Sequence, residues 1–224
     1  MKLSVIIPVY NERDTVLEAI SRVRAVPLEK ELIVVDDAST DGTPDLVEPL
    51  VGAELRLIRQ PHNRGKGAAI RRALEEVTGE VVVIQDADLE YDPADLPALL
   101  APIAAGEAEV VYGTRAPEFR GMRWQNRLFN HLAAALTNLL YRAGLSDEAT
   151  CYKMFRTEVV RALPLRCERF EFCPEVTAKV RKRGIRIQEV PVYYQARSLS
   201  AGKKIRWWDG VEALWTLVKY RFVD

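Results

Sequence analysis

Four mostly apolar runs, separated by segments with helical periodicity, restrict the fold more than any other feature of this sequence. The runs lie at residues 3–9, 31–35, 55–59 and 81–84. Strands that are buried on both faces have nearly continuous apolar sequences, and their alternation with helices is typical of parallel sheets. The sequence therefore predicts an α/β fold, in which helices cover both faces of a mostly parallel sheet.

Polar clusters follow three of these runs at the point where each strand ends. They are Asn11-Glu12, Asp36-Asp37 and Asp86-Ala87-Asp88. In parallel sheets ligands bind beyond the carboxyl ends of the strands, so we expect the clusters to converge on one crevice. Converging carboxylates repel one another unless a cation lies among them, and carboxylate oxygens bind Mg²⁺ and similar ions together with substrate phosphates. Taken alone, Asp86-Ala87-Asp88 has the alternative interpretation of an exposed turn.

The second half of the chain has a less regular order of elements. Helices are predicted at 96–103, 127–143, 175–183 and 209–222, and strands at 110–112, 151–155 and 185–194. The last helix places Val211, Leu214, Trp215 and Val218 on one face, and it follows two tryptophans and the basic run at 203–206. Such a helix is typical of a membrane interface, whereas packing on the core is the alternative, and both interpretations stay open.

Composition excludes several classes of protein. The chain of 224 residues is 48% hydrophobic and 29% charged, which indicates a globular protein with one sizeable core. Its 32 basic and 32 acidic residues balance, so net charge indicates no nucleic-acid partner. The cysteines Cys151, Cys167 and Cys173 lack the spacing of a zinc site and favour a reducing compartment. Since no signal peptide and no apolar run of about 20 residues are found, we expect a cytoplasmic protein, or one that lies on a membrane without crossing it.

In the order and spacing of its motifs, the chain resembles the inverting family-two glycosyltransferases of the GT-A fold, which is Rossmann-like. The motifs are VIIPVYNE at 5–12, VVDDASTDGT at 34–43, NRGKGAA at 63–69 and DAD at 86–88, followed by YGTR at 112–115. Within the family the chain most resembles the polyprenyl-phosphate sugar transferases, the group of dolichyl-phosphate mannose synthase. The resemblance implies one domain over residues 1–224, with a nucleotide-sugar-binding half at 1–115 and an acceptor-side half at 116–224.

The resemblance implies a GDP- or UDP-linked sugar as donor and Mg²⁺ or Mn²⁺ as cofactor. The residues expected to line the nucleotide-sugar site are Pro8, Tyr10, Glu12, Asp36, Asp37, Lys66, Asp86, Ala87 and Asp88. Asp86, Asp88 and Glu90 are expected to bind the metal, with Glu90 at a position where dolichyl-phosphate mannose synthases often have Gln. Asp88, Arg115 and Asp147 are expected to be catalytic, Arg115 by stabilising phosphate charge and Asp147 because related transferases have a catalytic acid in this region. Asp41 is interpreted as a helix cap or turn former.

The resemblance also implies a polyprenyl phosphate as acceptor. It further implies that the protein lies peripherally on the cytoplasmic face of a membrane, where it could bind a membrane-protein partner. A phosphate monoester, with a second pKa of about 6, is mostly ionised at neutral pH and needs no general base. It needs cations to hold it beside an anionic diphosphate. The residues expected to do so are Arg123, Arg127, Arg197 and Lys203, with Arg120 and Lys204 nearby.

Three alternatives stay open. A hydroxyl acceptor, on a glycan or a small metabolite, would need a base, for which Asp147 and Glu148 are candidates. A non-catalytic nucleotide-sugar-binding subunit could do without Asp88 and Arg115, yet both are present. A nucleotidyltransferase would usually carry a basic, glycine-rich loop after the first strand. The Gln-x-x-Arg-Trp signature of processive polysaccharide synthases and the Walker A spacing of ATPases are both missing.

Overall fold

A mostly parallel sheet forms the centre of the protein in the computed structural model, which describes residues 1–117, 119, 121–196 and 207–223, without the side chain of Trp207. Its strands are β1 (Leu3–Val9), β2 (Lys30–Asp36), β3 (Leu55–Arg59), β4 (Val81–Ile84), β5 (Val110–Thr114), β6 (Lys153–Arg156) and β7 (Ile187–Pro191). Among the described residues they form a seven-stranded sheet in the order β3-β2-β1-β4-β6-β5-β7. β6 is antiparallel to both of its neighbours, and the other pairings are parallel.

Helices connect the strands. They are α1 (Val16–Ala25), α2 (Thr43–Val47), α3 (Lys66–Glu76), α4 (Leu96–Ala104), α5 (Trp124–Tyr141), α6 (Thr157–Ala162), α7 (Phe172–Lys182) and α8 (Trp207–Phe222), with 3₁₀ turns at Glu48–Leu50 and Pro93–Asp95. α3 packs against β1 and β2, and α4 packs against β5 and β6.

The four strands of the first half agree with the predicted runs to within a residue. In the second half the boundaries differ more: α5 starts at Trp124 instead of residue 127, and α7 starts at Phe172 instead of residue 175. The predicted strand at 151–155 is β6, which starts at Lys153. The short helix α6 was not predicted, because its six residues are too few to show helical periodicity.

The centre of the sheet is built from β-branched residues. Val5 and Ile6 of β1, Ile33 of β2 and Val83 of β4 are completely buried. Their branched side chains pack well on a pleated surface. This packing explains why the continuous apolar runs are reliable predictors of these strands.

Helix α8 packs on the core with one side and is exposed on the other, so the membrane-interface interpretation stays a prediction. One side packs against α5 and α7, where Leu217 and Tyr220 are buried and the Tyr141 hydroxyl donates a hydrogen bond to the Leu217 carbonyl oxygen. The opposite side leaves Val211 and Trp215 exposed. Across the described ranges, no helix combines the length and apolar character that crossing a membrane requires.

Glu31 joins the amino-terminal ends of the central strands. Its carboxylate accepts hydrogen bonds from the Ser4 hydroxyl at 2.5 Å, the Thr78 amide at 2.6 Å and the Arg56 guanidinium at 2.7 Å. Burial by itself would raise the pKa of Glu31, but these hydrogen bonds outweigh burial and lower it from 4.5 to about 2. The buried Glu31 carboxylate therefore connects the amino-terminal ends of these strands, at the edge of the sheet opposite the polar clusters.

We expect Glu31 to stabilise the fold above pH 4.5 and to lose this contribution as the pH falls from 4.5 towards 2, because its pKa is lower in the folded than in the unfolded chain. The shift corresponds to about 3 kcal/mol at neutral pH. Urea denaturation should show that Glu31→Gln is less stable by this order at pH 7 and depends less on pH below 5. The exposed Glu54→Gln is the control, and parallel pH profiles of Glu31→Gln and the wild type would contradict the assignment.

Candidate functional site

The three polar clusters meet at the carboxyl edge of the sheet, as the sequence predicts. They follow β1, β2 and β4, and β1 pairs in parallel with both of the other strands. The loop after β1 also bonds to the loop after β2, since the Asn11 amide donates to the Ser39 hydroxyl at 2.9 Å and the Thr40 amide donates to Asn11 Oδ1 at 2.8 Å. Two of the three loops at this edge of the sheet therefore hold one another.

Each of these three loops contains a non-glycine residue in the left-handed region of backbone conformation. They are Asn11 with φ 51°, Ala38 with φ 60° and Leu89 with φ 62°. Such conformations are unfavourable for Ala and Leu and cluster at functional sites. Sequence reasoning missed this feature, because neither Ala nor Leu signals a positive φ.

Both carboxylate oxygens of Asp37 accept hydrogen bonds from the loop that leads into α3. Its Oδ1 accepts from the Gln60 side chain at 2.7 Å and from the Arg64 amide at 2.8 Å, and its Oδ2 accepts from the Gly65 amide at 2.7 Å. Gly65 has φ 99°, and a Cβ atom there would lie 2.6 Å from the Glu168 carbonyl oxygen. The loop conformation thus depends on both Asp37 and the glycine.

Asp36 keeps one carboxylate oxygen without a partner. Its Oδ2 accepts from the Ser39 amide at 3.2 Å, whereas Oδ1 is buried and finds no hydrogen-bond donor among the described residues. A buried acceptor without a donor costs about 1–3 kcal/mol. Of the two adjacent aspartates, Asp36 is therefore the one with a carboxylate oxygen that has no donor, and that oxygen is buried.

Lys66 and Asp86 form an ion pair in the crevice. Lys66 is the first residue of α3, and its Nζ lies 2.6 Å from Asp86 Oδ1. The Nζ also lies 3.5 Å from the Sγ of Cys151, a buried residue. Burial raises the pKa of the Cys151 thiol well above its ordinary value, so this neighbour is uncharged at neutral pH.

The carboxylates after β4 fit a divalent cation that also binds substrate phosphates. Asp88 Oδ1 accepts from the Glu90 amide at 3.1 Å, and Glu90 Oε2 accepts from the Tyr194 hydroxyl at 3.0 Å. In the part of the chain that is described, no three acidic, His or Cys side chains are arranged to hold a metal ion. Magnesium is usually bound by one or two carboxylates plus phosphate oxygens, so Asp86 and Asp88 suffice as a donor set.

Arg115 and Asp147 form a bidentate ion pair beside the crevice. Arg115 Nε lies 2.7 Å from Asp147 Oδ2, and Nη2 lies 2.7 Å from Oδ1. The Asp147 side chain is completely buried, and its backbone amide donates to Glu189 at 3.0 Å. Both oxygens of Asp147 are thus engaged in orienting the Arg115 guanidinium group.

The segment after β7 closes over the loop after β4. The Tyr193 amide donates to Asp95 Oδ2 at 2.7 Å, and the Gln195 amide donates to the Glu90 carbonyl oxygen at 2.9 Å. The Tyr194 ring lies 5.0 Å from the Arg115 guanidinium carbon. Tyr194 thus contacts both Glu90 and Arg115, a role that no local sequence signal could show.

The other predicted site residues lie as follows. Pro8 is in β1, Tyr10 directly after β1 is exposed, Glu12 accepts from the Thr15 hydroxyl at 3.0 Å, and Ala87 is buried. Asp41 Oδ1 accepts from the Thr43 amide at 2.9 Å, as expected for a turn former. Arg123 and Arg127 are exposed at the start of α5. The predicted acceptor residues Arg197 and Lys203, with Arg120 and Lys204, lie outside the described residues.

The fold and its polar carboxyl edge place the protein among α/β proteins that bind ligands beyond the strand ends. The sequence profile described as Glycosyl transferase family 2 matches residues 4–163, which is more than half of the chain. The chain therefore belongs to glycosyl transferase family 2.

Two similar curated proteins are sugar transferases named for lipid phosphates. The dodecaprenyl-phosphate galacturonate synthase of Rhizobium johnstonii is 29% identical over 210 residues, 91% of this chain and 62% of that protein. The dolichol-phosphate mannosyltransferase of Pyrococcus furiosus is 30% identical over 213 residues, 91% of this chain and 59% of that protein. The chain thus spans about three-fifths of the length of these relatives.

Solved structures of glucosyl-3-phosphoglycerate synthase from Mycobacterium tuberculosis share the fold. The complex with Mn²⁺, UDP and phosphoglyceric acid has a TM-score of 0.78 at 22% identity and covers 100% of this chain and 79% of that chain. The complex with Mg²⁺ and UDP has a TM-score of 0.75 at 23% identity, with 100% and 80% covered. The fold is therefore the GT-A fold, as the resemblance implied.

We expect Asp147→Asn to destabilise the protein by about 3–5 kcal/mol, because the buried Arg115 would lose its charged partner. Urea denaturation at pH 7 measures the loss. Asp14→Asn, which changes an exposed aspartate in the same way, should differ from the wild type by no more than about 0.5 kcal/mol. Equal stability of the two variants would show that the Arg115–Asp147 pair contributes nothing to the fold.

Proposed function

We propose that the protein transfers a hexose, with inversion, from a GDP- or UDP-linked sugar to a polyprenyl phosphate, in a reaction that needs Mg²⁺ or Mn²⁺. The observation that carries the proposal is the arrangement at the carboxyl edge of the sheet. The partnerless oxygen of Asp36 lies at the last residue of β2, and the carboxylates Asp86 and Asp88 follow β4 at the same edge. This arrangement suits a ligand with N–H donors at one end and phosphates at the other.

The nucleobase end of the donor would bind at Asp36. Uracil and guanine both carry a ring N–H that can donate to a carboxylate oxygen, and Asp36 Oδ1 is a buried acceptor without a donor. Asp37, with both oxygens occupied, would keep the loop at 63–65 in place. Pro8, Tyr10 and Glu12 would complete the base and ribose pocket from the end of β1.

The diphosphate end would bind beside Asp86 and Asp88, which would hold the divalent cation. That cation, when bound, neutralises the charge that develops on the leaving nucleoside diphosphate. Arg115, which Asp147 orients, would provide a fixed positive charge for a phosphate group. In the reaction the bond between the anomeric carbon and the diphosphate breaks, and an acceptor phosphate oxygen bonds to the opposite face of that carbon.

The burial of both candidate bases supports a phosphate acceptor over a hydroxyl acceptor. Asp147 is completely buried with both oxygens on Arg115, and Glu148 is 2% exposed. To act as a base, Asp147 would have to leave its pair with Arg115, and Glu148 has almost no exposed surface. An ionised phosphate monoester needs no base, and Arg123 and Arg127 are exposed where they could hold it.

Two exposed apolar faces support a membrane as the source of the acceptor. Helices α5 and α8 lie side by side, since Gly210 lies against the Phe129 ring and Tyr141 bonds to Leu217. The exposed apolar residues, which we call the interfacial face, are Trp124, Leu128, Leu132 and Leu139 of α5 and Trp208, Val211, Trp215 and Phe222 of α8.

The charges on the α5 side of the interfacial face suit anionic lipid headgroups, whereas α8 carries Asp209 and the exposed Glu212. The sequence of α5 contains no acidic residue, and the exposed Arg123, Arg127 and Arg142 lie at its ends. Basic residues beside apolar side chains bind anionic bilayers through both attraction and burial. We therefore place the protein peripherally on the cytoplasmic face of a membrane, where its unpaired cysteines suit a reducing compartment.

A donor screen tests the proposed function. Purified protein with Mn²⁺ or Mg²⁺ is given UDP- and GDP-sugars, with and without a short-chain polyprenyl phosphate, and release of nucleoside diphosphate is measured. Lipid-dependent release with one donor supports the proposal. Donor hydrolysis that the lipid does not stimulate favours the hydroxyl acceptor, and binding of a donor without any release favours a non-catalytic subunit.

In the same assay we expect Asp88→Ala to lower lipid-dependent transfer by roughly 100-fold or more, because one carboxylate of the cation site is lost. Its free energy of unfolding should fall by no more than about 1 kcal/mol, since relief of carboxylate repulsion offsets the lost turn hydrogen bond. Asp88→Asn, which keeps an acceptor for the Glu90 amide, should be equally inactive. Marked unfolding of Asp88→Ala would count against the metal-site interpretation.

We expect Leu132→Ser/Trp215→Ser, with one change on each helix, to lower affinity for anionic phospholipid vesicles by about tenfold or more, because two apolar side chains would no longer be buried in lipid. Vesicle sedimentation measures the affinity. Leu17→Ser, at an exposed leucine of α1, is the matched control. Vesicle binding that both variants retain would place the membrane contact elsewhere.

A further inference from the structure

The ion pair between Lys66 and Asp86 already occupies one of the two carboxylates proposed to bind a cation. The Lys66 and Asp86 side chains are only 16% and 23% exposed, and their charged atoms lie 2.6 Å apart. Water screens such a pair less than it screens a pair on the open surface. A divalent cation that approaches Asp86 must therefore displace an ammonium group that is already in contact with it.

The backbone at Lys66 is fixed, whereas its side chain can turn. The preceding loop is held by Asp37 through the amides of Arg64 and Gly65, and Lys66 begins α3. The lysine stem has four rotatable carbons and ends in a compact charge, so it can exchange one anion for another nearby. The other close partner, the Cys151 Sγ atom, lies 3.5 Å from the Lys66 Nζ atom, so the contact with Asp86 at 2.6 Å is the closer one.

We propose that Lys66 makes cation binding depend on the nucleotide. Without nucleotide, the Lys66 ammonium group occupies Asp86 and keeps the affinity for Mg²⁺ or Mn²⁺ low. A nucleoside diphosphate offers Lys66 a second anion, and Asp86 then becomes available to the cation. The inference rests on the proposed function, because the second anion is the diphosphate of the donor.

This role has a thermodynamic consequence. If the nucleotide raises the affinity for the cation, the cation must raise the affinity for the nucleotide by the same factor. The cation and the nucleotide would then enter the site together, and neither would bind tightly alone. Lys66 would thus protect the site from filling with a cation when no donor is present.

The test measures Mn²⁺ binding by calorimetry and by electron paramagnetic resonance of the unbound ion, with and without UDP or GDP. For the wild type we expect at least a tenfold higher Mn²⁺ affinity in the presence of the nucleotide that binds. Lys66→Met should bind Mn²⁺ at least tenfold more tightly than the wild type when no nucleotide is present, because the competing charge is gone. Lys66→Arg, which keeps a competing charge, should bind Mn²⁺ weakly without nucleotide.

Arg72→Met is the matched control. Arg72 lies on the same helix, pairs with Glu75 and Glu76, and carries the same charge, so its loss should leave Mn²⁺ affinity unchanged. Circular dichroism confirms that each variant is folded, and Lys66→Gln carries the same expectation if Lys66→Met does not fold.

The outcomes separate this inference from the proposed function. Equal Mn²⁺ affinity with and without nucleotide in the wild type overturns the role of Lys66 but leaves the metal site and the donor. Unchanged or weaker Mn²⁺ binding by folded Lys66→Met overturns it as well. Failure of the wild type to bind Mn²⁺ with any nucleotide overturns both the inference and the metal dependence of the proposed function.

Discussion

Strand β1 is hydrogen-bonded between β2 and β4, and the positions of the three polar clusters at the strand ends depend on the register of these strands. Val9 pairs with Asp36, and Ile6 pairs with Ile84. Because side chains alternate between the two faces of a sheet, a slip of one residue in β2 would turn the side chain of Asp36 to the opposite face and could bring Asp37 into its place. Glu31 holds the opposite ends of the same strands, so a single buried carboxylate far from the crevice helps to set its geometry.

Adjacent acidic residues in this protein have different tasks, and hydrogen bonding decides which residue has which task. Both oxygens of Asp37 accept hydrogen bonds from the loop before α3, whereas Oδ1 of Asp36 is buried without a donor among the described residues. Both oxygens of Asp147 accept hydrogen bonds from Arg115, and this pair orients the guanidinium group beside the Tyr194 ring. Tyr194 in turn bonds to Glu90, so the half that carries the carboxylates and the half that carries β7 are joined at the site.

The sequence predicted most of the fold because its strands are continuous apolar runs and its loops carry a specific set of motifs. The convergence of Asn11, Asp36 and Asp86 followed from one rule, that the carboxyl ends of parallel strands share an edge. The antiparallel insertion of β6 between β4 and β5 could not be predicted, because strand order depends on long-range pairing that leaves no local signal. The resemblance placed both Asp36 and Asp37 at the nucleotide-sugar site, which stays a prediction, and the structure adds that only Asp37 has hydrogen-bond donors on both of its oxygens.

By itself, the sequence determined the fold class, the family and the residue types at the crevice, since periodicity and motif spacing are properties of short segments. The tertiary structure decided how the carboxylate oxygens of those residues are hydrogen-bonded. Lys66 and Asp86 are 20 positions apart in the chain, Arg115 and Asp147 are 32 apart, and Glu90 and Tyr194 are 104 apart. Partners at such separations are chosen by the folding of the sheet, because the hydrogen bonds of a buried carboxylate depend on the groups that packing brings to it and not on its neighbours in sequence.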